Sequence, residues 1–200
     1  MIQYKPKISV CIPVKDGECW IAPAIASIWE QKGFKDWEIV VYDDGSTDST
    51  VKILKYYKDL LADKFTYHSC TESKGIGYAR NYANSIAKGE IICVQDSDDI
   101  SHKERLSKTW KYFKRHKQID IVYGSCQYID AIGKPFTMVN AEPFDWDRLK
   151  THNFIQHPTV AYRADAICET PYRSGCSVLD DWFLYMDFHK AGRQLSLIHI

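Results

Sequence analysis

Two hundred residues, 45% hydrophobic and 26% charged, describe one domain with enough chain to bury a core. Lys+Arg and Asp+Glu both count 26, so the net charge is zero and the basic footprint of a general nucleic-acid binder is missing. No apolar run approaches the roughly 20 residues that span a bilayer. The first residues carry no signal-peptide pattern, and seven scattered cysteines without a CxxC pair read as reduced thiols of a cytoplasmic chain.

Residues 8–12 read as a short apolar strand stopped by Pro13. Over 20–31, Ile21, Ile25, Ile28 and Trp29 fall near one face of a helix, with Pro23 in its first turn, where the missing N–H is harmless. Residues 37–42 are a second strand, and Asp43-Asp44-Gly45-Ser46 is a turn. Asp48 or Ser49 can cap the helix that runs towards Leu61. Residues 65–68 are a third strand; Gly75-Ile76-Gly77 opens a helix through Ala87, closed by Gly89. A fourth strand covers 90–95, a helix 104–116 and a fifth strand 119–128. Past Gly133 the pattern loosens into Pro- and aromatic-rich segments, with a strand returning at 159–162 and a last helix over 180–190. Strands that alternate with helices, each a continuous apolar run, predict an α/β fold: a mostly parallel central sheet flanked by helices, with a small C-terminal part.

The acidic cluster Asp96-Ser97-Asp98-Asp99 directly follows the apolar run Ile91-Ile92-Cys93-Val94. Hard oxygens therefore sit at the C-terminal end of a buried strand, the edge where open α/β sheets bind ligands. They suit Mg²⁺ or Mn²⁺, which shares its coordination with substrate phosphates. Pro13-Val14-Lys15-Asp16 and Asp43-Asp44-Gly45-Ser46 follow strands one and two and share that edge. Helix N-termini favour phosphate there, whereas carboxylates repel it unless a divalent cation bridges them. The crevice reads as a metal–diphosphate site with a carboxylate left for a base or ribose. Plainer readings exist for each piece. The Asp43 turn alone is a turn plus helix cap, and Arg80 alone covers the surface of its helix. His157, before Pro158, reads as structural. Asp180 and Asp181 double as an N-cap and a first-turn acid, Asp99 as a cap, and Trp146, Trp182 and Phe183 as core or acceptor-side packing.

In order, Ser9-Val10-Cys11-Ile12-Pro13-Val14-Lys15-Asp16-Gly17-Glu18, Glu38-Ile39-Val40-Val41-Tyr42-Asp43-Asp44-Gly45-Ser46, Lys74-Gly75-Ile76-Gly77-Tyr78-Ala79-Arg80-Asn81, residues 89–99 and Asp180-Asp181-Trp182 resemble a family 2 glycosyltransferase with the GT-A fold. The resemblance runs from Ile8 to about Gly192. It implies an inverting transfer of a sugar from a nucleotide-sugar donor, most readily a UDP-sugar, to a hydroxyl of a glycan or lipid-linked acceptor, with Mn²⁺ or Mg²⁺ as cofactor. Asp43 then resembles the aspartate that hydrogen-bonds the base, with Pro13, Val14 and Asp16 lining the same pocket. Asp96 and Asp98 resemble the DxD pair, the first near the ribose and the second on the metal. Arg80 stands where the family often has an arginine near the diphosphate. Asp181 resembles the catalytic base, with Asp180 the second choice, because Asp180 occupies a position usually held by Glu. Lys15 stands where an aromatic is usual, which leaves base stacking open. The implied setting is cytoplasmic, with no transmembrane segment and room for peripheral association at the inner face of the membrane.

Residues 195–200, Leu-Ser-Leu-Ile-His-Ile, translate the end of a widely used sequencing-library transposon adapter. They are read as foreign. The expected domain is then 1–194, with a nucleotide-binding half at 1–100, an acceptor-side half at 101–194, and a natural protein that continues. Two other functions stay open. One is a catalytically inactive nucleotide-sugar-binding or scaffold module. The other is a DxD phosphotransferase of the haloacid dehalogenase type, which would want its acidic pair after the first strand and a Thr or Val where Ile100 stands.

Overall fold

The computed structural model describes residues 5–169, 171–173, 175 and 179–200. Among these, the apolar runs become strands β1 (Ile8–Val14), β2 (Trp37–Asp43), β3 (Phe65–Ser69), β4 (Ile91–Val94) and β5 (Ile121–Tyr123). Helices α1 (Ile21–Trp29), α2 (Thr50–Leu61), α3 (Ile76–Ile86) and α4 (Arg105–Arg115) connect them. Then follow a hairpin, β6 (Cys126–Ile129) and β7 (Pro135–Val139), the short helix α5 (Trp146–Leu149), β8 (Ala161–Arg163), α6 (Ala164–Glu169), α7 (Asp180–Lys190) and β9 (Leu195–Leu197). The main sheet runs β3-β2-β1-β4-β8-β5-β9. β1 pairs in parallel with β2 and β4, β2 in parallel with β3, and only β8 runs antiparallel to its neighbours.

All residues of β1, β2 and β4 are buried, so these strands need apolar side chains on both faces. Alternation then divides the core in two. Val10, Ile12, Ile39 and Val41 face Ile21, Ile25, Leu54 and Leu106 of α1, α2 and α4. Cys11, Val40, Tyr42 and Ile92 face Ala79, Ala83, Leu184 and Phe188 of α3 and α7. Each fully buried aliphatic contributes about 1.5–3 kcal/mol. Cys11 and Cys93 behave as core residues, and burial pushes the Cys93 thiol up to about 11. Cys176 lies outside the described residues. Gly89 permits a close backbone approach in this core: a Cβ there would stand 2.5 Å from the Ser9 nitrogen and 2.7 Å from the Ile8 carbonyl carbon.

The predicted fifth strand over 119–128 is corrected. β5 ends at Tyr123, and the Gly124 N–H turns to the Thr159 hydroxyl at 3.0 Å, so β6 leaves the main sheet and pairs only with β7. The apolar run was continuous, but a Gly–Ser step interrupts the ladder. Asp48, not Ser49, supplies the side-chain acceptor at the start of α2, taking the Thr50 N–H at 2.9 Å. At the other end of the chain, β9 pairs in parallel with β5, and Ile198 is buried. Such an edge place asks only for extended backbone and apolar side chains, with Leu195 and Leu197 packing on one core cluster and Ile198 on the other. No helix among the described residues is long and apolar enough to cross a membrane.

Candidate functional site

The register aligns Val14 with Asp43 and Cys11 with Val94, so the loops after β1, β2 and β4 emerge at one sheet edge. The first two loops are zipped together. Asp16, at φ 50, accepts the Thr47 N–H at 2.7 Å, while its own N–H goes to the Ser46 hydroxyl at 2.8 Å. Across the same seam the Glu18 N–H donates to the Asp48 carboxylate, and the Glu18 carboxylate accepts the Ser49 N–H. The Asp16 carboxylate is thus engaged in loop geometry. The Val14 carbonyl accepts the Asp44 N–H, and Pro13 and Val14 are buried in the strand.

Asp43 is 1% exposed. Its Oδ1 accepts the Ser46 N–H at 3.2 Å, but its Oδ2 is buried without a hydrogen-bond partner. Such an orphan costs about 1–3 kcal/mol unless something satisfies it. Its neighbour Asp44, part of the same turn, is fully engaged. It accepts from the Ser73 hydroxyl and from the N–H groups of Lys74 and Gly75, at 2.6, 2.7 and 2.9 Å. Burial alone would raise its carboxyl, but these donors outweigh it and hold Asp44 below the usual range. Asp44 so fixes the entry of α3, the helix that carries Arg80.

Arg80 does not cover a helix surface. Its Nη1 donates to Asp180 at 2.6 Å and its Nη2 to Asp96 at 3.3 Å, and its guanidinium lies 5.4 Å from the Tyr172 ring centre. One cation therefore joins the β4 loop to α7. Burial weighs against its charge, but Tyr172, Asp96 and Asp180 reverse that and raise its pKa above the ordinary value. Its Nε is buried without a hydrogen-bond partner. Asp96 is half-buried; burial pushes its carboxyl up, Arg80 pulls it back, and Asp98 and Asp180 add to the rise. Asp98 is exposed and borders a cleft of about 570 Å³, also lined by Trp20, Ile100 and Ile132. Asp99 caps no helix, since α4 begins six residues later.

The two aspartates of α7 divide. Asp180 is buried and held by Arg80. Asp181 is half-buried, accepts the Asn153 amide at 2.9 Å and the Trp182 N–H at 2.7 Å, and keeps lone pairs free. Burial raises its carboxyl above the usual range, the Trp182 N–H opposes this, and Asp180 adds to it. His157 is structural. It is buried between the hydroxyls of Tyr185 and Tyr172 at 2.5 and 3.1 Å, and burial with the charges of Arg80 and Arg105 keeps it neutral. Trp182 donates to the Leu149 carbonyl at 2.6 Å, and Trp146 stacks on His189, so both serve packing of α5 on α7. Asn153 and Tyr172 were missed because their partners lie far away in sequence.

A divalent cation that shares its sphere with substrate phosphates needs only one or two carboxylates. Asp98 with Asp96 fits that partial role. No group of three or more His, Cys, Asp or Glu able to hold an ion is found among the described residues.

A seven-stranded, mostly parallel sheet whose loops at one edge carry these carboxylates is the GT-A glycosyltransferase fold. The model of glycosyl transferase family 2 matches residues 9–169, and the chain belongs to that family. A poly(ribitol-phosphate) beta-glucosyltransferase of Bacillus spizizenii is 39% identical over 195 residues, 96% of this chain and 31% of that protein. S. aureus TarS 1–349, solved in complex with UDP-GlcNAc, superposes with a TM-score of 0.78 at 25% identity, covering 96% of this chain and 55% of that one. A mannosyltransferase from Pyrobaculum calidifontis, solved with GDP-Man and Mn²⁺, shares the fold at a TM-score of 0.73 and 18% identity, over 98% of this chain and 57% of that one. The chain thus spans less than two thirds of the length of each of these proteins.

Proposed function

We propose that this chain is the donor-binding and catalytic region of an inverting glycosyltransferase that moves a sugar from a UDP-sugar to a hydroxyl of a glycan or lipid-linked acceptor. The observation that carries this reading is the orphaned Oδ2 of Asp43, the last residue of β2. A buried carboxylate oxygen asks for an N–H donor, and the imide N–H of uracil is one. The fit to a UDP-GlcNAc complex at 25% identity favours uridine over guanosine. Pro13 and Val14 would wall this base pocket, and Asp16 would shape its rim.

Asp98, with Asp96 beside it, would hold Mn²⁺ or Mg²⁺ against the donor diphosphate, and Arg80 would face the same phosphates. The ion would supply Lewis-acid neutralisation of charge on the departing diphosphate. Asp181 would take the proton of the acceptor hydroxyl; its raised pKa suits a base that works near neutral pH. Attack from the face away from the nucleotide inverts the anomeric carbon. Asp180, already bound to Arg80, is the poorer base. The proposed setting is cytoplasmic, at the inner face of the membrane where the acceptor is lipid-linked; all six described cysteines are free, as a reducing compartment requires.

Calorimetry with UDP and GDP, each with and without Mn²⁺, tests the reading. UDP should bind, and Mn²⁺ should tighten it. Failure of every nucleoside diphosphate to bind would end it.

A further inference from the structure

Behind the carboxylate loop lies a buried charge that the reaction outlined above does not use. Arg105, the first residue of α4, is 5% exposed, and its four hydrogen bonds all reach uncharged oxygens. Nη1 donates to the Gln95 side-chain oxygen at 3.0 Å and to the Ser101 hydroxyl at 2.9 Å. Nη2 donates to the carbonyls of Val94 at 2.6 Å and Val160 at 3.2 Å, tying the end of β4 to the approach to β8. Burying a guanidinium on neutral acceptors is costly, so its place needs a compensating role.

Gln95 supplies it. Its oxygen accepts from Arg105 and, at 2.6 Å, from Ser101, so its amide nitrogen must face the other way. That nitrogen donates to the carbonyls of Asp96 at 3.2 Å and Asp99 at 2.7 Å, the two ends of the acidic turn, which the Asp99 N–H closes onto the Asp96 carbonyl at 3.2 Å. Ser101 is pinned in turn by its N–H to the Ser27 hydroxyl at 3.0 Å.

We infer that Arg105, Gln95 and Ser101 are positioning residues that hold the Asp96–Asp99 backbone in the one shape that presents Asp96 and Asp98 together to a cation-bound diphosphate. All three are buried, so they act through the turn and not on the ligand. The inference rests on the donor reading above, and residues of this supporting kind typically change metal affinity by about 10–100-fold when altered.

Gln95→Glu tests it. The variant keeps the size, keeps the acceptor for Arg105 and Ser101, and adds an ion pair to Arg105, but turns the donor that faces two carbonyls into an acceptor. Its melting temperature should stay near that of the parent. Its Asp99 amide should exchange hydrogen about tenfold faster or more, and the gain in UDP affinity on adding Mn²⁺ should fall by about 10-fold or more. Metal-free UDP binding should be unchanged. Arg105→Lys, which keeps the charge but loses the fork, should move the same readouts less, and it decides the matter if Gln95→Glu does not fold. Unchanged exchange, or faster exchange with an unchanged Mn²⁺ gain, overturns the inference. If the parent protein binds no nucleoside diphosphate, the donor reading falls, and Asp99 exchange alone still judges whether Gln95 shapes the turn.

Discussion

Between Ile8 and Gln95 the protein buries nearly every large apolar side chain of its strands, whereas between Cys126 and Val139 it leaves Tyr128, Ile129, Ile132, Phe136 and Met138 exposed. The first region is a two-faced sheet wedged between helices; the second is a hairpin that pairs only with itself. Apolar content is similar, but its thermodynamic meaning differs. In the sheet it supplies stability and so fixes the loops at the C-terminal edge of the strands. In the hairpin it supplies little stability and is free for contact with a ligand. Substitutions in the two regions should therefore separate into effects on fold, on donor and on acceptor.

The largest effect is expected outside both regions, at Asp181 of α7. Asp181→Asn keeps the bonds from Asn153 or replaces them with its own, but it cannot take a proton. Turnover should fall about 10²–10⁴-fold with UDP affinity unchanged. Retained turnover would move the base elsewhere. The parent's rate should rise with pH through an acid limb displaced above the ordinary carboxylate range, because burial raises the Asp181 carboxyl. The stability sign is opposite. A folded-state pKa raised above the unfolded one favours the fold while the group is protonated, and that contribution is lost as pH climbs through the raised value. An acid limb at the ordinary carboxylate value would count against Asp181.

Next comes the core itself. Gly89→Ala would force a Cβ against the backbone of Ser9 and Ile8, with no flexible side chain there to give way. About 1–3 kcal/mol of destabilisation is expected, read as a fall of several degrees in Tm. A neutral outcome would show that the β1–β4 packing is looser than its distances say.

How much of this was readable beforehand follows the same division. The strands of the donor half were legible because buried parallel strands must be continuous apolar runs, and the acidic loop after β4 was legible because its edge is where such sheets bind ligands. Arg80 was placed near the site but not paired, since Asp96 lies 16 residues away and Asp180 lies 100 away. Arg105 stands in an amphipathic helix, and nothing local in the sequence announces that its head group is buried. The hairpin was lost inside an over-long strand because a Gly–Ser step weakens a ladder without breaking an apolar pattern.

Smaller again is the effect expected at Asp43. Asp43→Asn keeps an acceptor for the Ser46 N–H but removes the charge and puts an amide donor where the orphaned Oδ2 stands. UDP should bind about tenfold more weakly by calorimetry, in line with about 1–3 kcal/mol for an unsatisfied or mismatched buried group. Thermal stability should hold or rise, since the orphaned oxygen is a cost to the unliganded fold. A fall in stability with full UDP affinity would make Asp43 a structural residue.

The smallest effect on stability, and the sharpest on the comparison, belongs to the hairpin tip. Ile132 is 88% exposed and borders the cleft that also holds Trp20 and Asp98. Ile132→Ser should shift unfolding by no more than about 0.5 kcal/mol, because little apolar area leaves the core. UDP affinity should not move, since the proposed base pocket lies at the β1 and β2 loops. If the tip touches the acceptor, KM for the acceptor should rise while the donor constants stay put, the pattern of lost uniform binding. A loss of about 2 kcal/mol of stability would instead mean that the hairpin is packed as core, and the contrast between the two regions would collapse.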